Sequence, residues 1–322
     1  MRIAYVLNGL GICGGVRIVF EHANRLAQRG YDVSIATSNG ETTQDWFPLE
    51  VPVHGWHTFP GADVIVATEW STAPLVHEYP SGKKFYFVQM REPLFSPSQS
   101  WQRRAEATYS LPLQAITISR WLKEFLEEKG HSDVPIVANG VNPVMFYPEP
   151  ALPRKPGLFR VLIEGHEANA AKNVRDAHAA LAVLRRTYPI EVWGFNQLGP
   201  GRYSHDRFWT APAQDTIRRL YSSSDVLLKT SKLEGRGCSG PEAMACGCAV
   251  VHTECRGTDD LLNERNCLLV PYGDLEAIGK AVERLITNEP LRQSLIAGGI
   301  DYVSTHLNWE ASIAKLEELY AS

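Results

Sequence analysis

The sequence predicts an α/β protein made of two doubly wound domains facing a central cleft. Three observations carry this expectation. Short apolar runs alternate with helix-patterned segments through both halves of the chain, a proline-rich stretch separates the halves, and 322 residues are enough for two domains.

The elements follow in order. A first strand is predicted at Arg2 to Leu7, then a helix over Val16 to Gln28 with apolar residues at helical spacing and Gly30 as its stop, then a strand at Asp32 to Thr37. Further strands are predicted at Val64 to Ala67, Lys84 to Val88, Ala115 to Ile118 and Pro135 to Ala138, with a helix from Trp121 to Lys129. Prolines at 143, 148, 150, 153 and 156 forbid a continuous helix or a central strand, so the domain boundary is placed there, dividing the chain into 1–150 and 151–322. The second half repeats the rhythm with strands at Phe159 to Glu164, Glu191 to Gly194, Val226 to Lys229, Ala249 to His252 and Cys267 to Val270. A terminal helix from Trp309 to Tyr320 carries Ile313, Leu316, Leu319 and Tyr320 on one face, which suits packing back on the N-terminal domain. Both halves therefore read as Rossmann-like.

Composition bounds the function. Apolar residues make up 44% and charged residues 21%, as in ordinary globular proteins, and the formal net charge of -4 with interspersed signs gives no electrostatic footprint for nucleic acid. Met1 leads directly into a strand rather than through a charged and then apolar leader, and no apolar run approaches a membrane span. A cytoplasmic protein without an integral membrane segment is expected. Of the 6 cysteines, those at 238, 246, 248 and 255, with His252, invite a zinc reading. They lack the separated paired spacing of structural zinc sites, so reduced, mostly buried thiols and no metal are expected.

Two glycine-rich turns carry chemistry. The first is Gly9-Leu-Gly-Ile-Cys-Gly14, between a strand and a helix, which fits the spacing of a dinucleotide-binding loop. The second strand ends Ile35-Ala-Thr-Ser-Asn39 without an acid to hold an adenosine ribose, and Glu41 lies beyond the turn. Gly14 and Gly15 still permit close backbone approach to a ligand. The second turn is Leu233-Glu-Gly-Arg-Gly-Cys-Ser-Gly-Pro-Glu242, after the strand ending at Lys229. Ser239 to Glu242 has the form of a capping box with Pro241 in the first turn, so a helix is expected from about Gly240. Glu234 and Glu242 then stand on either side of the turn, where their carboxylates could accept from ligand hydroxyls; alternatively, Glu242 caps its helix and Glu234 is solvated.

On these residues the chain resembles the retaining GT-B glycosyltransferases of family 4. Glu234 to Glu242 matches that family's E-x7-E signature and is followed by Ala-Met-Ala-Cys-Gly-Cys-Ala-Val-Val251. Gly14-Gly15 with its helix, Ser119, Asn139-Gly-Val141, Asn266 to Asp274 and the terminal Asn-Trp-Glu310 helix are also similar to it. The resemblance implies that Glu234 contacts donor-sugar hydroxyls and that Glu242 holds the nucleotide ribose. Gly235, Arg236, Gly237, Cys238 and Ser239 line the donor side between them. A Lys and an Arg of the family hold the diphosphate; Lys172 matches the first, and His166 stands in the arginine position. At the strand end where many members have a histidine, this chain has Gln89, followed by Arg91 and Glu92. A Val-Gln dipeptide followed by an acid is similar to a branch containing rhamnosyltransferases.

The implied reaction moves a sugar from a nucleoside-diphosphate sugar to an acceptor hydroxyl with retention. Glu234, Lys172, Gln89 and Glu92 would be catalytic, and Gly14, Gly15, His166, Lys172 and Glu242 would bind the donor. Arg91 and Trp70, within or near the loop from Arg91 to Arg104, are chosen for the acceptor side by position. No cofactor beyond the donor substrate is implied; the acceptor class, whether saccharide, lipid-linked or small molecule, stays open. Rival readings are an NAD-dependent oxidoreductase, a nucleotide-sugar epimerase of the same fold, and a catalytically silent sugar-nucleotide binding protein.

Overall fold

The computed structural model describes residues 1–95, 98–150 and 152–322. The chain divides into two units, Met1–Asn139 with Trp309–Ser322, and Gly140–Asn308.

In the first unit, β1 (Arg2–Leu7), α1 (Gly14–Gln28), β2 (Asp32–Thr37), β3 (Val53–Gly55), β4 (Val64–Ala67), α2 (Ala73–Glu78), β5 (Lys83–Val88), α3 (Gln99–Thr108), β6 (Gln114–Thr117) and α4 (Arg120–Glu128) alternate along the chain. The second unit holds β7 (Phe159–Glu164), α5 (Val174–Leu184), β8 (Ile190–Asn196), β9 (Arg207–Thr210), α6 (Gln214–Ser223), β10 (Val226–Lys229), α7 (Ser239–Ala245), β11 (Ala249–Thr253), β12 (Leu268–Val270), α8 (Leu275–Thr287) and α9 (Glu289–His306). The last helix, α10 (Trp309–Ala321), returns to the first unit.

The sheets are parallel and ordered β3-β2-β1-β4-β5-β6 and β12-β11-β10-β7-β8-β9. Counted from its own first strand, each has the same order, and each reverses direction beside that strand. Ligands of open parallel sheets bind beyond the carboxyl ends of the strands that flank this reversal. In the second unit those strands are β7 and β10, which end at Glu164 and Lys229. Their residues are apolar nearly throughout because helices cover both faces. One face packs Val161, Ile163, Val226, Leu228 and Val251 against α5 and α8, and the other packs Leu162, Leu227 and Val250 among Trp193, Tyr221, Met244 and Tyr302.

Several expectations are corrected. Pro135 to Ala138 forms no full strand, only a single bridge between Thr117 and Ile136, since Pro135 has no N–H to extend the ladder. The short edge strands β3 and β9 lacked a sufficient apolar run to be seen. Trp193 lies in β8, and Phe208 and Trp209 lie in β9, an edge strand not among those predicted. Trp193 is fully buried with the Arg160 guanidinium 3.7 Å from its ring centre, so it packs the core. The capping box does not form: α7 begins at Ser239 after Cys238, and the Ser239 hydroxyl donates to Glu164 Oε2 at 3.3 Å. Gly14 and Gly15 occupy the first turn of α1 rather than preceding it.

The stretch from Pro143 to Pro156 is tied into the second unit. The Leu152 N–H donates to Ser223 Oγ at 2.9 Å, and Arg218 pairs with Glu149 at 3.3 Å. Helix α10 buries Trp309, Ile313, Leu316 and Tyr320. Tyr320 meets Tyr5 by a 3.0 Å hydroxyl contact and stacks edge-on to Phe85 at 5.0 Å, which seats the helix on the first unit's sheet.

Candidate functional site

Four charged side chains meet where β7 and β10 end. Lys172 Nζ lies 3.0 Å from Glu234 Oε1 and 3.4 Å from Glu164 Oε2. Lys229 Nζ is paired with Glu164 and stands 3.3 Å from Glu234 Oε1. The Ser231 hydroxyl donates to Glu234 Oε1 at 2.7 Å. Buried charges are tolerated only when paired and hydrogen-bonded, and two lysines against two glutamates meet that condition.

The electrostatics follow from the contacts. Burial pushes the Glu164 carboxyl up, but Lys172 and Lys229 outweigh it and hold it at about 2. Glu234 is likewise raised by burial and lowered further by the same lysines, to well below the carboxylate range. Burial lowers Lys172, and the two carboxylates more than reverse this, keeping it firmly protonated. His252, on β11, is pushed down to about 4 by burial and then by Lys229, so its ring is neutral.

Backbone fixes Glu234 in place. Its N–H donates to Arg256 O at 3.0 Å. Gly257, at φ 93, passes so close that a Cβ there would sit 2.4 Å from Glu234 O. Only glycine allows both that angle and that approach. Gly237, at φ 70, curls the loop back so that its Cβ position faces the Glu234 side chain at 3.6 Å. Gly235 follows Glu234 and turns its carbonyl to Gly257, with 2.9 Å between Gly235 O and a Cβ placed on Gly257. Arg236 leaves the loop sideways, with Nε 2.9 Å from Asp260 Oδ2, and Asp260 also accepts from the Tyr302 hydroxyl at 2.6 Å. Glu242 is buried in the first turn of α7, with the Tyr221 hydroxyl 3.5 Å from its Oε2. Thus Glu234, Lys172 and, through Glu164, Ser239 are brought together, whereas Glu242 and Arg236 have other neighbours.

The loop after β7 is equally constrained. Gly165 stands at φ 133, and Asn173 caps α5 in the left-handed region at φ 44. Such a conformation beside Lys172 marks a position that the surroundings over-determine. Lys232 N–H donates to Ala171 O at 2.7 Å and Thr230 Oγ1 to Asn173 O at 2.8 Å, so the segment just after β10 holds the loop bearing Lys172. His166 Nδ1 accepts from the Ala168 N–H at 3.0 Å, which leaves the ring proton of a neutral imidazole on Nε2, free to donate.

In the first unit, the glycine loop is tied by an acid. Glu41 Oε2 accepts from the Leu10 N–H at 2.7 Å, so the carboxylate nearest the end of β2 serves the loop itself. Gln89, just past β5, donates from Nε2 to Gly15 O at 3.3 Å, joining two predicted site residues; Gly14 and the N-cap Cys13 lie beside them. Glu92 accepts from the Trp70 N–H at 3.2 Å and from the Tyr109 hydroxyl. Burial lifts its carboxyl to about 7 despite these bonds. Trp70 packs edge-on to Trp101 at 5.1 Å with the Arg104 guanidinium 5.3 Å from its ring. Arg91 is occupied by Glu106 at 2.9 Å and lies 4.4 Å from the Phe125 ring centre, which gives it a structural task. Positions 96 and 97 of the expected acceptor loop lie outside the described residues.

Sequence reasoning missed Glu164, Lys229 and Ser231. The available signal was the unusual Lys229 and Glu164 at the ends of otherwise apolar strands, because a charge closing a buried run needs a partner. Among the described residues, no three His, Cys, Asp or Glu side chains group as a metal site, and the cysteines are all free.

Residues 165–288 match the family described as Glycosyl transferases group 1. The chain is 30% identical over 269 residues to the O-antigen biosynthesis protein RfbC of Myxococcus xanthus, an alignment covering 80% of this chain and 20% of that protein. The chain thus spans about one fifth of the length of that curated relative. Its fold is similar to sucrose-phosphate synthase from Thermosynechococcus elongatus, with a TM-score of 0.80 at 16% identity over 100% of this chain and 98% of that one. It is also similar to Anabaena HepE in complex with UDP-glucose, with a TM-score of 0.80 at 14% identity over 100% and 99%. The glycine loop, the charge cluster and Glu242 therefore sit on a two-domain α/β fold of the GT-B type, and Lys172, Lys229, Glu234 and Glu242 fall inside the segment that matches the family model.

Proposed function

We propose that this chain is a retaining glycosyltransferase that moves a sugar from a nucleoside-diphosphate sugar to an acceptor hydroxyl without a metal ion. The carrying observation is the pairing of Glu234 with Lys172 at the reversal point of the second sheet. A carboxylate suited to sugar hydroxyls and an ammonium suited to phosphate are adjacent there. Glu234 orients the donor sugar, Glu242 holds the ribose, and Lys172 with the Nε2–H of His166 meets the diphosphate. Cys238 and Ser239 lie along the donor between the two glutamates. UDP is the first nucleotide to test, because the HepE neighbour carries UDP-glucose.

In the reaction, the bond from the anomeric carbon to the phosphate oxygen breaks and a bond to the acceptor oxygen forms on the same face. The acceptor proton passes to the leaving phosphate. Developing negative charge is what Lys172 stabilises, and a preorganised donor of this kind contributes on the order of 100-fold or more in rate. Gln89 and Glu92, with Trp70, stand on the acceptor side, where the acceptor is a saccharide, a lipid-linked sugar or a small molecule. A charged nucleotide sugar is met without any bound cofactor, and the protein acts in the cytoplasm.

Incubation with UDP-glucose, GDP-mannose or dTDP-rhamnose and simple saccharide acceptors, in EDTA, tests this reading. The expected product keeps the donor's anomeric configuration by proton NMR coupling, and Glu234→Gln lowers turnover by roughly 100-fold. An inverted product, or full activity in Glu234→Gln, overturns the assignment.

A further inference from the structure

The two lysines of the cluster are not equivalent. Lys172 rides on the loop before α5 and keeps 22% of its side chain exposed, whereas Lys229 closes β10 with 1% exposed. Both touch Glu164 and Glu234. Among the described residues, these lysines are the cations paired with the two carboxylates. The other groups facing them are neutral: Ser231 after β10, Ser239 on α7, His252 on β11, and Cys255 beyond it, whose thiol burial pushes to about 12.

A diphosphate draws the lysine that can reach it, which is the partly exposed Lys172. Glu164 and Glu234 then lose one of their two counter-charges while a further anion arrives. Buried Glu234 and partly buried Glu164, side by side without a cation, cannot both stay ionised. We propose, resting on the donor reading above, that Lys229 is a positioning residue that keeps Glu164 and Glu234 ionised while Lys172 transfers to the donor's diphosphate. It touches no substrate itself. Its place on a strand end, rather than on a loop, is what leaves it behind when Lys172 moves.

Calorimetric titration tests this with UDP, or with whichever of GDP, dTDP and ADP the wild-type chain binds. Proton uptake per nucleotide is obtained by repeating each titration in buffers of different ionisation enthalpy. The wild type and Lys229→Arg are expected to share one proton count and one pH dependence. Lys229→Met is expected to take up about one further proton, so that its affinity falls by roughly tenfold per pH unit relative to wild type between about pH 6.5 and 8.5.

The double variant Glu164→Gln with Lys229→Met keeps the free cluster neutral, and it carries the measurement if the single variant fails to fold. Its bound state leaves Glu234 without a cation, so the same extra uptake is expected. Folded variants that match the wild-type proton count and pH dependence overturn the role of Lys229 and leave the donor reading intact. A wild-type chain that binds none of these nucleotides overturns both.

Discussion

Glu92 and Glu164 are both carboxylates near strand ends, yet their surroundings drive them in opposite directions. Glu164 faces two lysines and is held at about 2. Among the described residues, Glu92 faces hydroxyl and amide donors but no cation at contact distance, and burial lifts it to about 7. The consequences for stability have opposite sign. Glu164, lowered in the folded state, stabilises above its unfolded value near 4.5, and that contribution is lost as pH falls through about 2. Glu92, raised in the folded state, contributes fully below about 4.5 and loses that contribution as pH rises through about 7. Glu92→Gln removes the second dependence. Relative to wild type, the variant is expected to gain up to about 3 kcal/mol in denaturant unfolding on going from pH 4 to pH 8. An unchanged difference between the two pH values would contradict the buried state of Glu92.

At the scale of elements, the turn from β10 to α7 depends on one glycine from another loop. Gly257→Ala combines a left-handed φ of 93 with a Cβ 2.4 Å from a backbone carbonyl. It is expected to cost about 2–3 kcal/mol and to weaken nucleotide binding by displacing Glu234. Gly279, inside α8 with nothing within 4 Å of its Cβ position, supplies the control. Gly279→Ala is expected to raise stability by about 0.5–1 kcal/mol without touching binding. Melting curves and nucleotide titrations of the pair separate the two effects.

This turn also shows what the sequence could disclose. Its strand, loop and helix were legible from apolar run, glycines and Pro241. The capping box was misread, because the Ser239 hydroxyl has a stronger claim on it from Glu164, a residue distant in sequence. Lys172 and Glu234 were singled out by the resemblance of their motifs, and the structure brings their side chains into contact. Lys229 and Glu164 were not singled out, since their meaning comes from two strands becoming neighbours in the sheet. Edge strands β3 and β9 escaped for a related reason: short, half-exposed strands take their identity from the partner they pair with.

For the molecule as a whole, the chain's last helix belongs to its first unit. Removing residues 309–322 strips Trp309, Ile313, Leu316 and Tyr320 from that unit's core. Burial of four such side chains is worth roughly 6–10 kcal/mol, comparable to the whole stability of a typical domain. The shortened chain is expected to lose the first unit's cooperative melting transition in calorimetry, with the second unit's transition retained. Two transitions of unchanged midpoint would show that α10 is dispensable.

Both sheets share one strand order, but among the described residues the paired carboxylates and lysines stand only at the reversal point of the second. The proposed function rests on that asymmetry in giving the nucleotide to the second unit, and a thermal-shift panel of UDP, GDP, dTDP, ADP and NAD, with and without EDTA, tests it most directly. At about 100 times its dissociation constant a ligand stabilises by roughly 2.7 kcal/mol, a shift of several degrees. The account predicts a selective shift by one nucleoside diphosphate, unchanged by EDTA and abolished in Lys172→Met. A shift by NAD alone would return the Gly9 to Gly14 loop to dinucleotide binding and contradict the roles given to Glu234, Glu242 and Lys172.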